Sequence, residues 1–281
     1  MKDLLSRIIR VPFIGRMALV FDRQGSADGF PGGLAFRTHL GAEHFREGQL
    51  LKYHDLGSGL VTNIGVLALC GDSQWPQTSI VTNLFKLLKY HASGKGVTAA
   101  AFTDIKIETD STVGGQTPVA GTQVFTHDQV ATTQKWVSVA TIAYTGTEAV
   151  TEWGLFNDTT LSRTTGSPFT ATTANTGTVT GTPLTASASG VQGESQHVVH
   201  TTTTPRYGLI TSNSTSVLTL SFSAASGWMV TSTGVIGSTP GATETYTLRP
   251  VMWDHKVFSA INVVNGDSIQ FTYTLTISSG G

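Results

Sequence analysis

The sequence predicts a mainly β protein: an antiparallel, jelly-roll-like β-sandwich with a short N-terminal helical or extended arm and an inserted small β lobe. Three observations point there. From Ser268 to Ile277 the chain alternates strictly, with Ile269, Phe271, Tyr273, Leu275 and Ile277 on one side and Ser268, Gln270, Thr272, Thr274 and Thr276 on the other. Such alternation marks a strand with one buried and one wet face. Residues 136–144 are apolar at nearly every position, which predicts a central strand buried on both faces. Residues 158–250 carry only Asp158, Arg163, Glu194, Arg206, Glu244 and Arg249 as charges, and 16 of the 46 residues from 159 to 204 are Thr. β-Branched Thr favours extended backbone.

Taken in order, residues 1–50 read as a docking arm. Leu4, Leu5, Ile8 and Ile9 repeat at helical spacing before Pro12, and Gly and Pro at 25–33 break the chain into short pieces. Residues 51–157 and 251–281 read as the β-sandwich framework. Within it, Thr62 or Asn63 is placed to cap a short helix running through Val66, Leu67, Leu69 and Cys70. The segment 84–91 suits a helix through Leu84, Leu87, Leu88 and His91 or a strand through Phe85 and Leu87, and the turn at Ser93-Gly94-Lys95-Gly96 favours the strand. Val150–Phe156 reads as a strand following 136–144 through the Thr145-Gly146-Thr147 turn. Asn265-Gly266-Asp267 supplies the turn before the last strand. Residues 158–250 read as a Thr-rich inserted β region in which Val217–Phe222 alternates, and 207–241 form a lobe of their own.

Composition excludes several classes. The charged fraction is 12%, about half the usual value of about 25%. A formal net charge of −1 leaves no electrostatic footprint for nucleic acid or an anionic membrane. One cysteine, Cys70, makes no internal disulfide.

Candidate chemistry is sparse. His54-Asp55 and Asp254-His255 are neighbours, and strand neighbours point to opposite faces, so neither pair forms a dyad and both read as rim polar groups. His197 and His200 provide too few ligands for a metal, and His39 and His44 with Glu43 are no better. Asp104, Glu108 and Asp110 lack a calcium-loop pattern and read as solvated strand-end charges. Ser93-Gly94-Lys95-Gly96 does not fit a phosphate-binding loop, and Gly57-Ser58-Gly59 does not fit a nucleophile elbow. Trp136, Trp153 and Trp253 read as core. Trp75 and Trp228 sit at turns, where a tryptophan packs internally, stacks on a sugar or anchors a subunit contact. No catalytic residue, metal ligand or cofactor-binding residue is assigned.

Four segments carry a resemblance. They are Val251 through Ile277, His91 through Asp104, Val139–Thr145 followed by Thr151-Glu-Trp-Gly-Leu-Phe156, and Asp55 through Asn63. In this order they resemble a group of tailed-bacteriophage virion proteins, and the Glu152-Trp-Gly-Leu-Phe156 string is similar to tail-collar and tail-fibre proteins. The resemblance implies a β-rich, non-enzymatic structural protein located in the virion, as capsid decoration or as a tail component. Its expected partners are other virion proteins and copies of itself in a homo-oligomer. Nucleic acid and membrane are not expected partners. The alternative function is a receptor- or glycan-binding tail-fibre module, with a host surface glycan as partner.

Overall fold

A computed structural model describes residues 19–20, 34–62, 65, 87–128, 133–161, 164–179, 184–185, 194, 197–202, 204–220, 228–230, 232, 237–241 and 243–279. The expected N-terminal helix, the helix through Cys70, Trp75, residues 84–86 and Phe222 lie outside them. The strands are β1 (Leu19–Val20), β2 (Leu34–Arg46), β3 (Gln49–Gly57), β4 (Leu60–Val61), β5 (Tyr90–Gly94), β6 (Val119–Ala120), β7 (Thr122–Asp128), β8 (Thr133–Ala143) and β9 (Glu148–Phe156). They continue with β10 (Thr164–Thr173), β11 (Thr176–Val179), β12 (His197–Thr201), β13 (Arg206–Asn213), β14 (Val217–Leu220), β15 (Met229–Val230), β16 (Glu244–Pro250), β17 (Met252–Val263) and β18 (Asp267–Ser279). The fold is mainly β, and every strand pairing is antiparallel except the two-residue β1–β2 contact.

Two sheets face each other. One runs β1-β2-β18-β8-β7, with β3 also paired to β2; the other runs β4-β17-β9-β5-β6. Ile269, Phe271, Tyr273 and Leu275 of β18 are buried. Trp153 of β9 stacks on Tyr273 at 5.5 Å and tilts over Phe271 at 6.3 Å. Thus the alternation in β18 is the inner face of a sandwich. The turns at 144–147 and 264–266 both carry the chain from one sheet to the other, because β8 and β18 lie in the first sheet and β9 and β17 in the second. Neither turn closes a hairpin. Glu47 and Gly48, by contrast, both have positive φ (50° and 76°) and join β2 to β3, the backbone that a two-residue hairpin turn requires.

Four expectations are corrected. Residues 34–50 are not part of an arm: β2 pairs along its whole length with β18, from Leu34↔Ser279 to Arg46↔Asp267. Thr38, Leu40, Ala42 and His44 are buried, a two-residue period that the interspersed arginines hide. The strand expected at 84–91 occupies Tyr90–Gly94 instead, so Ser93 and Gly94 belong to it rather than to a turn. β8 is buried on one face only: Trp136, Ser138, Ala140 and Ile142 are buried, while Val137 and Val139 are half-buried and Thr141 is exposed. Strands covered on both faces include the second half of β9, residues 152–156, and, in the third sheet, β12 and β13.

The third sheet is ordered β12-β16-β10-β11-β14-β13-β15. β12 also pairs with β13, from Val198↔Leu209 to Thr201↔Arg206. That pairing closes β12, β16, β10, β11, β14 and β13 into a six-stranded barrel. The barrel takes its strands from β10 through β16, on both sides of Tyr207, so 207–241 is not a lobe by itself. Its interior holds Phe169, Val199, Ile210, Leu218, Trp228, Tyr246 and Leu248. Side chains fill a barrel this narrow. The Phe169 ring takes the space beside Gly177, where a Cβ would sit 2.1 Å from it. Thr170, Thr176, Thr178, Thr211 and Thr219 face outward, half-exposed. Val198, Tyr207 and Leu209 also face away from the barrel interior, but they pack into the framework core with Leu88, Trp253 and Ile261.

The chain leaves and re-enters the framework at one place. Phe156 of β9 is the register partner of Met252 of β17. Just beyond, the Asn157 side-chain oxygen accepts a hydrogen bond from the Val251 amide at 2.8 Å.

Candidate functional site

The strongest concentration of titratable groups lies on the outer face of β9 and β17, under the segment 95–110. Glu152 on β9 and His255 on β17 share that face by register, since His255 pairs with Gly154 and Val257 with Glu152. Glu152 is fully buried. One of its oxygens accepts from the Gly96 amide at 3.0 Å and the Thr109 amide at 3.2 Å, and the other from the Glu108 amide. His255 Nε2 lies 2.8 Å from Glu152 and Nδ1 lies 2.7 Å from Asp104. Burial alone would lower the His255 pKa; the hydrogen bonds and charges of both carboxylates outweigh it and raise it to about 9. With a carboxylate at each ring nitrogen, His255 is a doubly donating imidazolium. Neither nitrogen is left to act as a base.

The cluster is therefore a clamp that ties the 95–110 segment to the sheet. Glu108 extends it by accepting from the Val97 and Thr98 amides and from the Thr98 hydroxyl. A Cβ on Gly96 would meet Glu152 at 2.4 Å, so the amide reaches the carboxylate because that residue is glycine. Asp104 and Glu108 are thus clamp members, not merely solvated strand-end charges. His255 and Asp254 are buried, not at a rim.

The inner face holds a second polar cluster. The register of β17 shifts between Met252 and Asp254, and this bulge turns Trp253 and Asp254 toward the same partner. Trp253 Nε1 donates to the Tyr273 hydroxyl at 2.8 Å, and that hydroxyl donates to Asp254 at 3.1 Å. Burial raises the Asp254 pKa to about 6. Asp254 and His255 point to opposite faces, as strand neighbours must.

A third chain of bonds crosses the sandwich. Trp153 Nε1 donates to His91 Nδ1 at 3.2 Å, which leaves His91 Nε2 to donate to the Ser138 hydroxyl at 2.9 Å. Burial lowers the His91 pKa to about 3, so its ring is neutral.

The remaining candidates disperse. His39 meets Asp55 at 2.9 Å on the surface. His44 and Arg46 both hold Asp267, the arginine through two bonds at 2.8 and 2.9 Å. Those bonds, the Arg46 ones foremost, keep Asp267 well below the usual carboxylate range. His197 pairs with Asp158 at 2.8 Å. His200 is held neutral by burial and by Arg249 and Lys106, with its pKa lowered to about 4. Thr62 Oγ1 accepts from the Gly65 amide at 3.0 Å, the geometry of a helix cap. Trp228 is fully buried and meets Phe169 edge-on at 5.5 Å, so it is not placed to stack on a sugar. A shallow cleft of about 180 Å³ lies where barrel and framework meet, lined by Lys106, Glu108, Asp110, Phe156, Leu161 and Arg249 among others.

The described surface has a separate feature that sequence reading missed. Its exposed large hydrophobics are Leu50, Leu51, Tyr53, Val97, Val124, Phe125 and Val264. Leu50, Leu51 and Tyr53 lie on β3, which flanks β2 beside the two-residue β1, and Val124 and Phe125 on β7, the strand at the opposite end of the six-stranded sheet. The signal was hidden because an edge is a property of strand order, and order is not written in a local pattern.

Comparison with family models, with curated proteins and with solved structures gives no match. Among the described residues no group of three or more His, Cys, Asp and Glu is arranged to hold a metal ion. No helix among them is long and apolar enough to cross a membrane.

Proposed function

We propose that the chain is a non-enzymatic structural subunit of a tailed-bacteriophage virion, joined to its neighbours through the edges of its open sheet. The observation that carries this reading is the placement of five exposed hydrophobics on β3 and β7, at opposite ends of the six-stranded sheet. A free-standing β protein blunts its edges, because unpaired strands capture other chains. Subunits of an assembly keep them for strand addition. The reading is supported by the resemblance of 251–277, 91–104 and 139–156 to virion proteins. It is also supported by the clamp chemistry of Glu152 and His255, which is spent on backbone amides rather than presented to a substrate. The barrel, reached through the single junction at Asn157 and Val251, is the projecting part.

The test is mass spectrometry of gradient-purified particles made by the genome that encodes the chain. The expected result is the chain in the particles, and its loss when Leu51→Glu and Tyr53→Glu are combined. Its absence from wild-type particles overturns the reading.

A further inference from the structure

We propose that two copies of this chain pair through β7, antiparallel and about a two-fold axis at Phe125. The inference deepens the assembly reading by naming the partner and its register. Among the described residues no strand pairs with the far edge of β7. The strand is regular: its register with β8 runs from Thr122↔Val139 to Asp128↔Thr133 without a shift. Phe125 is 60% exposed and Val124 54%. An edge that is straight, exposed and apolar at its centre is a template for another strand.

Two-fold symmetry restricts what can add there. A two-fold axis perpendicular to a sheet makes neighbouring strands antiparallel and keeps faces matched. Each residue then opposes one an even number of positions away in the same strand. β7 spans Thr122 to Asp128, so a register centred on Phe125 uses the whole strand. It sets Phe125 opposite Phe125, Val124 opposite Thr126, Gln123 opposite His127 and Thr122 opposite Asp128. No like charges meet, and an aromatic pair lies on the axis, a favourable cross-strand combination.

The other edge does not match itself in this way. A register of β3 centred on Tyr53 sets Lys52 against His54 and Leu51 against Asp55; one centred on Lys52 sets lysine against lysine. Like charges directly opposite are destabilising. A register centred on Leu51 meets no like charges, but it uses only residues 49–53 of the strand and is centred on the residue that the register with β2 skips. β3 also carries register shifts against β2, between Leu40 and Gly41 and between His44 and Phe45. Such bulges bend an edge away from a partner. Complementarity therefore selects β7 for the second copy, and leaves β3 for a different contact in the particle.

The experiment is analytical ultracentrifugation of the full chain, with cysteine cross-linking in a Cys70→Ser background. The expected result is a dimer that dissociates on dilution and is lost in Phe125→Glu but kept in Tyr53→Glu. Directly opposed residues have Cα atoms roughly 4.5–5.5 Å apart, within disulfide reach. Phe125→Cys therefore links two copies on mild oxidation. Val124→Cys does not, because its copies sit on a diagonal at roughly 7–8 Å. If Phe125→Glu does not fold, the cysteine variants still decide. A monomer at every concentration, or links through Tyr53→Cys and not Phe125→Cys, overturns the inference. A monomer that still enters particles defeats this pairing alone; a dimer absent from particles defeats the virion reading alone.

Discussion

The barrel of 164–250 and the six-stranded sheet of the framework use nearly the same number of antiparallel strands and finish them differently. In the barrel, β12 pairs with β13 and the ring closes, so its main strands have neighbours on both sides and its outer wall is set with threonine. In the framework sheet, β7 ends the order and β3 lies beyond β2 next to the two-residue β1, and β3 and β7 carry leucine, tyrosine, valine and phenylalanine into solvent. Closure removes the need for charge, because a barrel with no free edge has nothing to protect from pairing. The near absence of charge in 158–250 is thus compatible with a barrel that stays unpaired. The contrast teaches that most of the exposed large hydrophobics described in this molecule follow from strand order rather than from composition.

The largest expected effect breaks the framework and spares the barrel. His255→Ala leaves the buried carboxylate of Glu152 without its cation. Removing one partner of a buried ion pair costs on the order of 3–5 kcal/mol. Chemical denaturation followed by Trp fluorescence should show that loss, and limited proteolysis should cut first in 95–110. Trp228→Ala is the converse, emptying the barrel interior at a cost of about 3–5 kcal/mol. Calorimetry should then show a barrel transition ahead of the framework transition. A single common loss would mean that Val198, Tyr207 and Leu209 couple the two units completely.

Intermediate in size is the pH dependence, which also reports on the framework. The His255 pKa is raised from about 6.5 to about 9. A raised histidine contributes stability that is complete below about pH 6.5 and lost as pH climbs through about 9. The expected loss on the alkaline side is on the order of 3 kcal/mol, measured as a falling denaturation midpoint and absent in His255→Ala. Asp254 acts in a lower window: its pKa is raised to about 6, so its contribution declines as pH rises from about 4 to about 6. Asp267, held low by Arg46 and His44, sets the acid limb, where stability falls as it protonates. The smallest effect concerns the junction. The Tyr207 hydroxyl is buried and has no hydrogen-bond partner among the described residues. Tyr207→Phe removes it and should be neutral or raise stability by up to about 1 kcal/mol, read as a small rise in Tm.

The parts of this fold that could be read in the sequence are those with an unbroken two-residue period. β18 is the plain case, and Trp136, Trp153 and Trp253 fall in the core as their strands require. The barrel resisted because its strands are interrupted. Register shifts occur between Gly166 and Phe169, between Ala171 and Thr173 and between Ile210 and Ser212, and each shift resets the alternation. β2 reads as arm in the sequence because its inward positions include His44 and Thr38, which no hydropathy pattern counts as core. The clamp was invisible for a different reason: Glu152 and His255 are 103 positions apart, and only the β9–β17 register brings them to one face. Asp254 and Trp253 converge on Tyr273 through a bulge, which the simple rule for strand neighbours does not anticipate.

The meeting of Phe156 with Met252 has a consequence for the order in which the chain assembles. To pair β9 with β17 before the barrel exists, the chain must close a loop of roughly ninety residues. Against a four-residue turn this costs on the order of 3 kcal/mol more in chain entropy. Once the barrel has formed, its two ends already stand side by side at Asn157 and Val251, and the closure is nearly complete. The barrel then acts as a splint, holding β17 against β9 until the flanking sheet zips. Any other compact unit with adjacent ends could serve in its place. The framework is thus a socket into which a different folded head can be grafted without redesigning the strands beneath it.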